Sequence, residues 1–169
     1  MNITDYIQTL DKHTAATLDF IKKSRPDIHI KGGVDNWNGL QILEHVCMTE
    51  KVVCKLVSKP SDQIHESAEL FGPGKMNHLV VTKRAIKVKA PEMLNPKGDI
   101  QDLEAFEQLF TAQRNELKEN LMQGTIPVDN RIHKHPYLGE MTISDWLYFM
   151  IAHTQRHLEQ IGDHSALNK

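Results

Sequence analysis

At 169 residues the chain is long enough for a single domain with a sizeable core, and its 40% hydrophobic and 25% charged residues are ordinary for a soluble globular protein. A formal net charge of −2 supplies no global field to draw it to nucleic acid or an anionic membrane. No run approaches the roughly 18 apolar residues of a membrane span, and the start, MNITDYIQTLDKHT, lacks the basic head and apolar middle of a secretory signal, so a cytoplasmic protein is expected.

The first stretch with helical periodicity runs from about residue 3 to 23. Ile3, Ile7, Leu10, Thr14, Thr17 and Ile21 fall on one stripe, and Pro26 follows its end. A second stretch begins at Asn38, where Gln41 can answer from the third position as a capping box, and it stops before Pro60. Residues 59–98 form a long connection rich in Pro, Gly and Lys. Within it MNHLVVTKRAIKV predicts a short helix with Met76, Leu79, Val80 and Ile86 on one side, strand being the competitor. A third long helix is expected from Asp99, with Asp102 adding negative charge to its first turn, through Leu103, Phe106, Phe110, Leu117 and Leu121 to a C-cap at Gly124. The segment IPVDNRIHKHPYLGE reads as a loop with a turn at HPYLG. A last helix follows from Thr142, with Asp145 three residues on, to about Gly162. Four long helices, one long crossover containing a short extra helix, and few strand signals predict an all-α four-helix bundle spanning residues 1–169 as one domain.

The two cysteines, Cys47 and Cys54, lie seven apart on one side of the second helix, too far along it to bridge, so buried or half-buried free thiols are expected. Histidine is the outlier, with 10 residues. In the last helix, 100° steps from Ile143 gather Ile143, Leu147, Met150, Thr154 and Ile161 around one direction. His157 falls at roughly 320°, inside that arc, and His153 at roughly 280°, on its edge beside Trp146. Asp145, Tyr148, Gln155, Arg156 and Glu159 take the opposite side. In the second helix, Ile42, Val46, Thr49, Val53 and Leu56 share one side, and Glu44, Lys51 and Lys55 the other. His45 belongs to the apolar arc.

A single inward histidine is best read as a core residue hydrogen-bonded to a carbonyl or carboxylate. A pair at i and i+4 is different, because two adjacent imidazoles each need a partner and like charge disfavours protonating both. A divalent cation meets both needs, and His45 from another helix would complete a three-ligand site at His45, His153 and His157. Three protein ligands leave a coordination position open, as in catalytic rather than structural sites. HTQRH lacks the glutamate that follows the first histidine in H-E-x-x-H, so a general base of that type is not supplied locally. His13 reads as a core-edge residue and His133 as a loop residue. His135, also read as a surface loop residue, is near enough in sequence to line a cleft mouth. The basic cluster Lys83, Arg84, Lys87 and Lys89 has no aromatic platform and reads as a solvated face rather than a phosphate site.

HPYLGEMTISDWLYFMIAHTQRHLEQI resembles the C-terminal signature of the DinB-like (YfiT-like) superfamily of metal-dependent enzymes: a turn with Gly, a Thr-capped helix, then a histidine pair four apart followed by Ile. WNGLQILEHVCMTE resembles the family's second-helix motif, a Trp with a His about eight residues later. The resemblance implies a four-helix bundle in which His45, His153 and His157 bind a divalent metal, zinc or nickel. It also implies homodimers acting on small molecules. Characterised relatives transfer low-molecular-weight thiols such as bacillithiol, mycothiol or glutathione, and others are described only as hydrolases. Residues 59–98 resemble the thiol transferases least, which places the chain nearer an uncharacterised branch. A metal-dependent thiol transferase is therefore expected first. A metal-dependent hydrolase and a non-catalytic metal-binding or interaction bundle are the alternatives.

Overall fold

A computed structural model describes residues 1–32, 36–83 and 89–166 of the chain, the side chains of residues 26 and 165 apart. Four long helices form its frame: α1 (Ile3–Lys23), α2 (Gly39–Val57), α4 (Leu103–Met122) and α5 (Ile143–Ala166), with a short α3 (Gly72–Asn77) between the second and third. The capping box at the start of α2 is present, with Gln41 N–H on the Asn38 side chain at 2.9 Å and Asn38 N–H on Gln41 Oε1 at 3.0 Å. α2 ends at Val57, before Pro60 as expected, and α5 runs about one turn past Gly162, to Ala166.

Helix α4 does not begin at Asp99. Asp102 is its N-cap, in extended backbone with its carboxylate accepting from Ala105 N–H at 2.7 Å. Residues before it are held out of the helix because Glu44 accepts hydrogen bonds from Lys97 and Gly98 N–H. At the other end Gly124 has φ +71, a left-handed conformation that suits glycine and stops the helix.

Two apolar clusters reveal the direction of each helix. One joins Tyr6 and Leu10 of α1, Val53 and Val57 of α2, Leu117 and Leu121 of α4, and Ile143 to Ala152 of α5. The other joins Ile21, then Leu40 to Cys47, then Phe106 and Phe110, then Leu158 and Ile161. α1 and α5 therefore run one way and α2 and α4 the other. Two parallel neighbours cannot be joined by a tight turn, which is why residues 58–102 must cross the length of the bundle. α3, and the π-helical turn His78–Thr82 that continues it, pack on α5. Met76 and Val80 are buried there and Leu79 half-buried, as their spacing predicts. Ile86, Arg84 and Lys87 lie outside the described residues, while Lys83 and Lys89 are exposed.

Two expectations fail for one reason: the crossover covers faces that each helix alone marks as polar. Asp145 is fully buried, its carboxylate accepting from the N–H groups of Leu70, Phe71, Gly72 and Thr142. Burial alone would raise its carboxyl, yet these donors outweigh it and hold it below the usual range. Tyr148, Gln155, Arg156 and Glu159 of the same face are half-buried, and Arg156 Nη1 donates to Val80 O at 2.9 Å. Glu44 is likewise buried, whereas Lys51 and Lys55 are exposed as expected.

The loop before α5 is a short antiparallel hairpin, β1 (Ile132–His135) paired with β2 (Gly139–Thr142), Ile132 opposite Thr142. Strands of four residues carry too little alternation to stand out from a loop. The hairpin is held from outside, for Trp146 Nε1 donates to the His133 carbonyl at 3.2 Å. Among the described residues the fold is all-α apart from this ribbon, and none of the described helices is long and apolar enough to cross a membrane.

Between the two apolar clusters lies a polar layer to which every long helix contributes. Arg114 of α4, 1% exposed, forms a two-pronged ion pair with Glu50 of α2, also 1% exposed, at 3.1 and 2.6 Å. Thr154 of α5 donates to Glu50 Oε1 at 2.8 Å, and the guanidinium also reaches Thr14 and His13 of α1. The Arg114 guanidinium lies 4.0 Å from the Phe110 ring centroid.

Candidate metal centre

The rings of His45, His153 and His157 meet where α2 packs against α5. His45 Nε2 is 3.3 Å from His153 Nε2, which is 3.2 Å from His157 Nε2, and one nitrogen from each ring lies within 4.8 Å of the others. Two nitrogens held tetrahedrally by one zinc at about 2.0–2.1 Å would be separated by about 3.3 Å. No carboxylate or thiolate joins the group among the described residues.

The proton positions follow from the outer nitrogens. His45 Nδ1 lies 2.9 Å from the Leu94 carbonyl, which can only accept, so that nitrogen carries the proton. His157 Nδ1 lies 2.8 Å from Gln160 Oε1 and donates in the same way. Both Nε2 atoms then present lone pairs toward His153. The single N–H that a neutral His153 could turn inward satisfies only one of them, and its buried Nδ1 has no partner among the described residues. A shared cation would accept all three lone pairs at once, and outer-nitrogen hydrogen bonds of this kind are what orient ligating histidines. The residues present therefore fit a metal ion.

Burial and mutual repulsion keep His153 and His157 in the ligating state. Burial, then the neighbouring imidazoles of His157 and His45, push His153 well below the ordinary value, and burial followed by His45 brings His157 down to about 3. Aromatic rings wall the cluster. Trp37 lies 5.3 Å from His45 between centroids, and Phe149 lies 5.3 Å from His153. His135 packs on Phe149 at 4.8 Å and on Trp146 at 5.4 Å, so it approaches the site through an aromatic neighbour. Its Nδ1 accepts from the N–H groups of Tyr137 and Leu138, which puts its proton on Nε2.

His13 does not join the cluster. Its Nδ1 takes a hydrogen bond from Arg114 Nη1 at 3.2 Å, and burial, then that positive charge, lower it to about 4. An unfolded His13 takes its proton near 6.5. Between those values the unfolded chain binds more protons, so stability is lost as the pH falls from about 6.5 toward 4. In metal-free protein, His13→Gln should flatten that dependence by on the order of 3 kcal/mol, read from urea midpoints at several pH values across the window. An unchanged slope would show that His13 is protonated in the folded state. His133 contributes its backbone carbonyl to the hairpin anchor and stands outside the cluster.

Neither cysteine is a nucleophile at neutral pH. Both are free, and burial, then the Glu50 charge, push Cys54 up to about 12 and Cys47 higher still. A cleft of about 390 Å³ between α1, α3 and α5, lined by Tyr6, His13, Tyr148 and Gln155, contains none of the three clustered histidines. It lies on the opposite side of α5 from them.

Sequence spacing placed the three rings on inward faces but missed what surrounds them. Gln160 was within reach of such reasoning, since it sits three residues after His157. The Leu94 carbonyl was not, because a backbone acceptor leaves no mark in residue identity.

A bundle of four long helices whose second and last members bring three histidines together defines a class of helical proteins with a candidate metal centre. The chain belongs to the DinB superfamily, whose family model matches residues 2–161. It is also similar to the uncharacterized protein YuaE of Bacillus subtilis (strain 168), with 24% identity over 145 residues that cover 79% of this chain and 80% of that protein. No solved structure matches it.

Proposed function

We propose that this protein is a metal-dependent enzyme in which His45, His153 and His157 hold a zinc or nickel ion, and that it transfers a low-molecular-weight thiol to a small electrophile. The observation that carries the reading is the convergence of three Nε2 atoms, two of them with their protons fixed on the far side of the ring by Leu94 and Gln160. When bound, the cation would act as a Lewis acid that lowers the pKa of a thiol or of water. The chain's own part is to hold the three imidazoles in place, to keep His153 and His157 neutral, and to wall the site with Trp37, Phe149 and His135.

One feature favours a thiol over water. Attack by water ordinarily draws on a general base, and no carboxylate stands in the cluster among the described residues. A thiol whose pKa is lowered is already a potent nucleophile. Homodimerisation and action in the cytoplasm belong to the same reading.

The test begins with metal analysis of untagged protein purified without chelating resin, where about one divalent ion per chain is expected. The loaded protein is then given bacillithiol, mycothiol or glutathione with a generic haloalkyl or epoxide electrophile. Turnover that requires a thiol supports the proposal. Turnover without one replaces it with the hydrolase, and a loaded protein inert toward esters, amides and every thiol pair is a binding or interaction bundle.

A further inference from the structure

The crossover passes the histidine cluster as a strap, residues 89–100, and side chains of the bundle tie it down at successive points. Tyr137 Oη donates to the Lys89 carbonyl at 3.0 Å. A single 3-10 turn, Glu92–Leu94, brings the Leu94 carbonyl onto His45 Nδ1 at 2.9 Å. The buried Glu44 carboxylate then accepts from Lys97 N–H at 2.7 Å and from Gly98 N–H at 2.9 Å. Gly98 has φ +86, a conformation that lets the two successive N–H groups turn toward one carboxylate. Beyond it Ile100 enters the core beside Leu103.

Glu44 and His45 are adjacent in α2, yet each holds the strap by a different group: Glu44 takes two of its donors, and His45 takes one of its acceptors. A buried carboxylate that accepts two backbone N–H bonds is costly to lose, because both donors are left without a partner. Among the described residues the Glu44 carboxylate bonds Lys97 and Gly98 and none of the three rings. Its effect on the rings passes through residues 94–98.

We propose that Glu44 is a positioning residue for the three-histidine site: by clamping Lys97 and Gly98 it places the Leu94 carbonyl so that His45 keeps its proton on Nδ1 and turns its Nε2 lone pair toward His153 and His157. The inference deepens the metal-enzyme reading and rests on it for its functional meaning. The tautomer itself is a property of the metal-free chain. Its removal frees the strap from Lys97 to Gly98, and His45 then samples both tautomers and loses its fixed direction.

The experiment is nitrogen-detected NMR of metal-free protein labelled at histidine, paired with zinc titration by competition with a chromophoric chelator. In the wild type, His45 should show a protonated Nδ1 and an unprotonated Nε2. In Glu44→Ala those resonances should move toward a mixture, amide exchange at Lys97 and Gly98 should quicken, and zinc affinity should fall on the order of 10–100-fold. Glu44→Gln keeps one acceptor oxygen and should fall between. Leu117→Ala, destabilised in the distant apolar cluster, controls for general loosening and should keep the His45 pattern and the affinity. Should Glu44→Ala retain the wild-type tautomer and affinity, or Leu117→Ala lose them to the same degree, the positioning role is overturned. A wild type that binds no zinc or nickel, with the tautomer still dependent on Glu44, would end the metal-enzyme reading and leave Glu44's hold on His45 standing.

Discussion

His153→Ala should abolish the stabilisation that zinc or nickel gives the wild type. In the proposed site His153 is the middle member: its Nε2 stands 3.3 Å from that of His45 and 3.2 Å from that of His157. Its loss leaves two nitrogens that a single ion would still have to share without the bridging member. A ligand at a thousandfold excess over its dissociation constant raises folding stability by about 4 kcal/mol, and that increment should vanish in the variant. Metal-free His153→Ala should be somewhat less stable than metal-free wild type, because the truncation opens space beside Phe149 and removes the N–H available to a neighbouring Nε2, so each protein is compared with its own metal-free form. Thermal unfolding with and without added zinc or nickel reads both quantities. A variant that keeps the full metal-dependent increment would remove His153 from the site.

Glu50→Ala should cost about 3–5 kcal/mol, the range for breaking a buried ion pair by deleting one partner. Arg114 would keep Thr14, His13 and Thr154 as neighbours, but among the described residues its guanidinium would have no carboxylate partner left, in a layer closed above and below by apolar clusters. The cost belongs to the stranded charge rather than to the pair itself. Replacing both partners, as Glu50→Leu with Arg114→Met, should therefore recover most of the loss. Urea unfolding of the single and double variants measures the difference. A single-variant loss below about 1 kcal/mol would mean that water reaches Arg114.

The polar layer also bears on what local pattern can reveal. Arg114 and Glu50 are 64 residues apart, and each stands among the apolar positions of its own helix, Arg114 between Phe110 and Leu117, with nothing local to name its partner. Asp145 and Glu44 mislead in the opposite way, for they stand on faces that their helices mark as polar and are buried all the same. Helical periodicity reports the side of one helix that is apolar, and it is silent about a crossover that later packs on the other side. The residues that misread are those whose partners are backbone N–H groups: Leu70, Phe71 and Gly72 for Asp145, and Lys97 and Gly98 for Glu44. A buried carboxylate satisfied by main chain cannot be told from an exposed one by composition.

From the residues alone came the four long helices, the capping box at Asn38 and Gln41, the left-handed stop at Gly124, and the inward faces carrying His45, His153 and His157. Each of these depends on interactions within a few positions of the chain, where spacing is geometry. Tertiary structure alone decided that those faces meet, that the Leu94 carbonyl holds the proton of His45 on Nδ1, that crossover amides bury Asp145 and Glu44, and that the bundle's centre is ionic. Those outcomes join segments tens of residues apart through carbonyls, amides and packed surfaces, and only the folded chain brings such groups into contact.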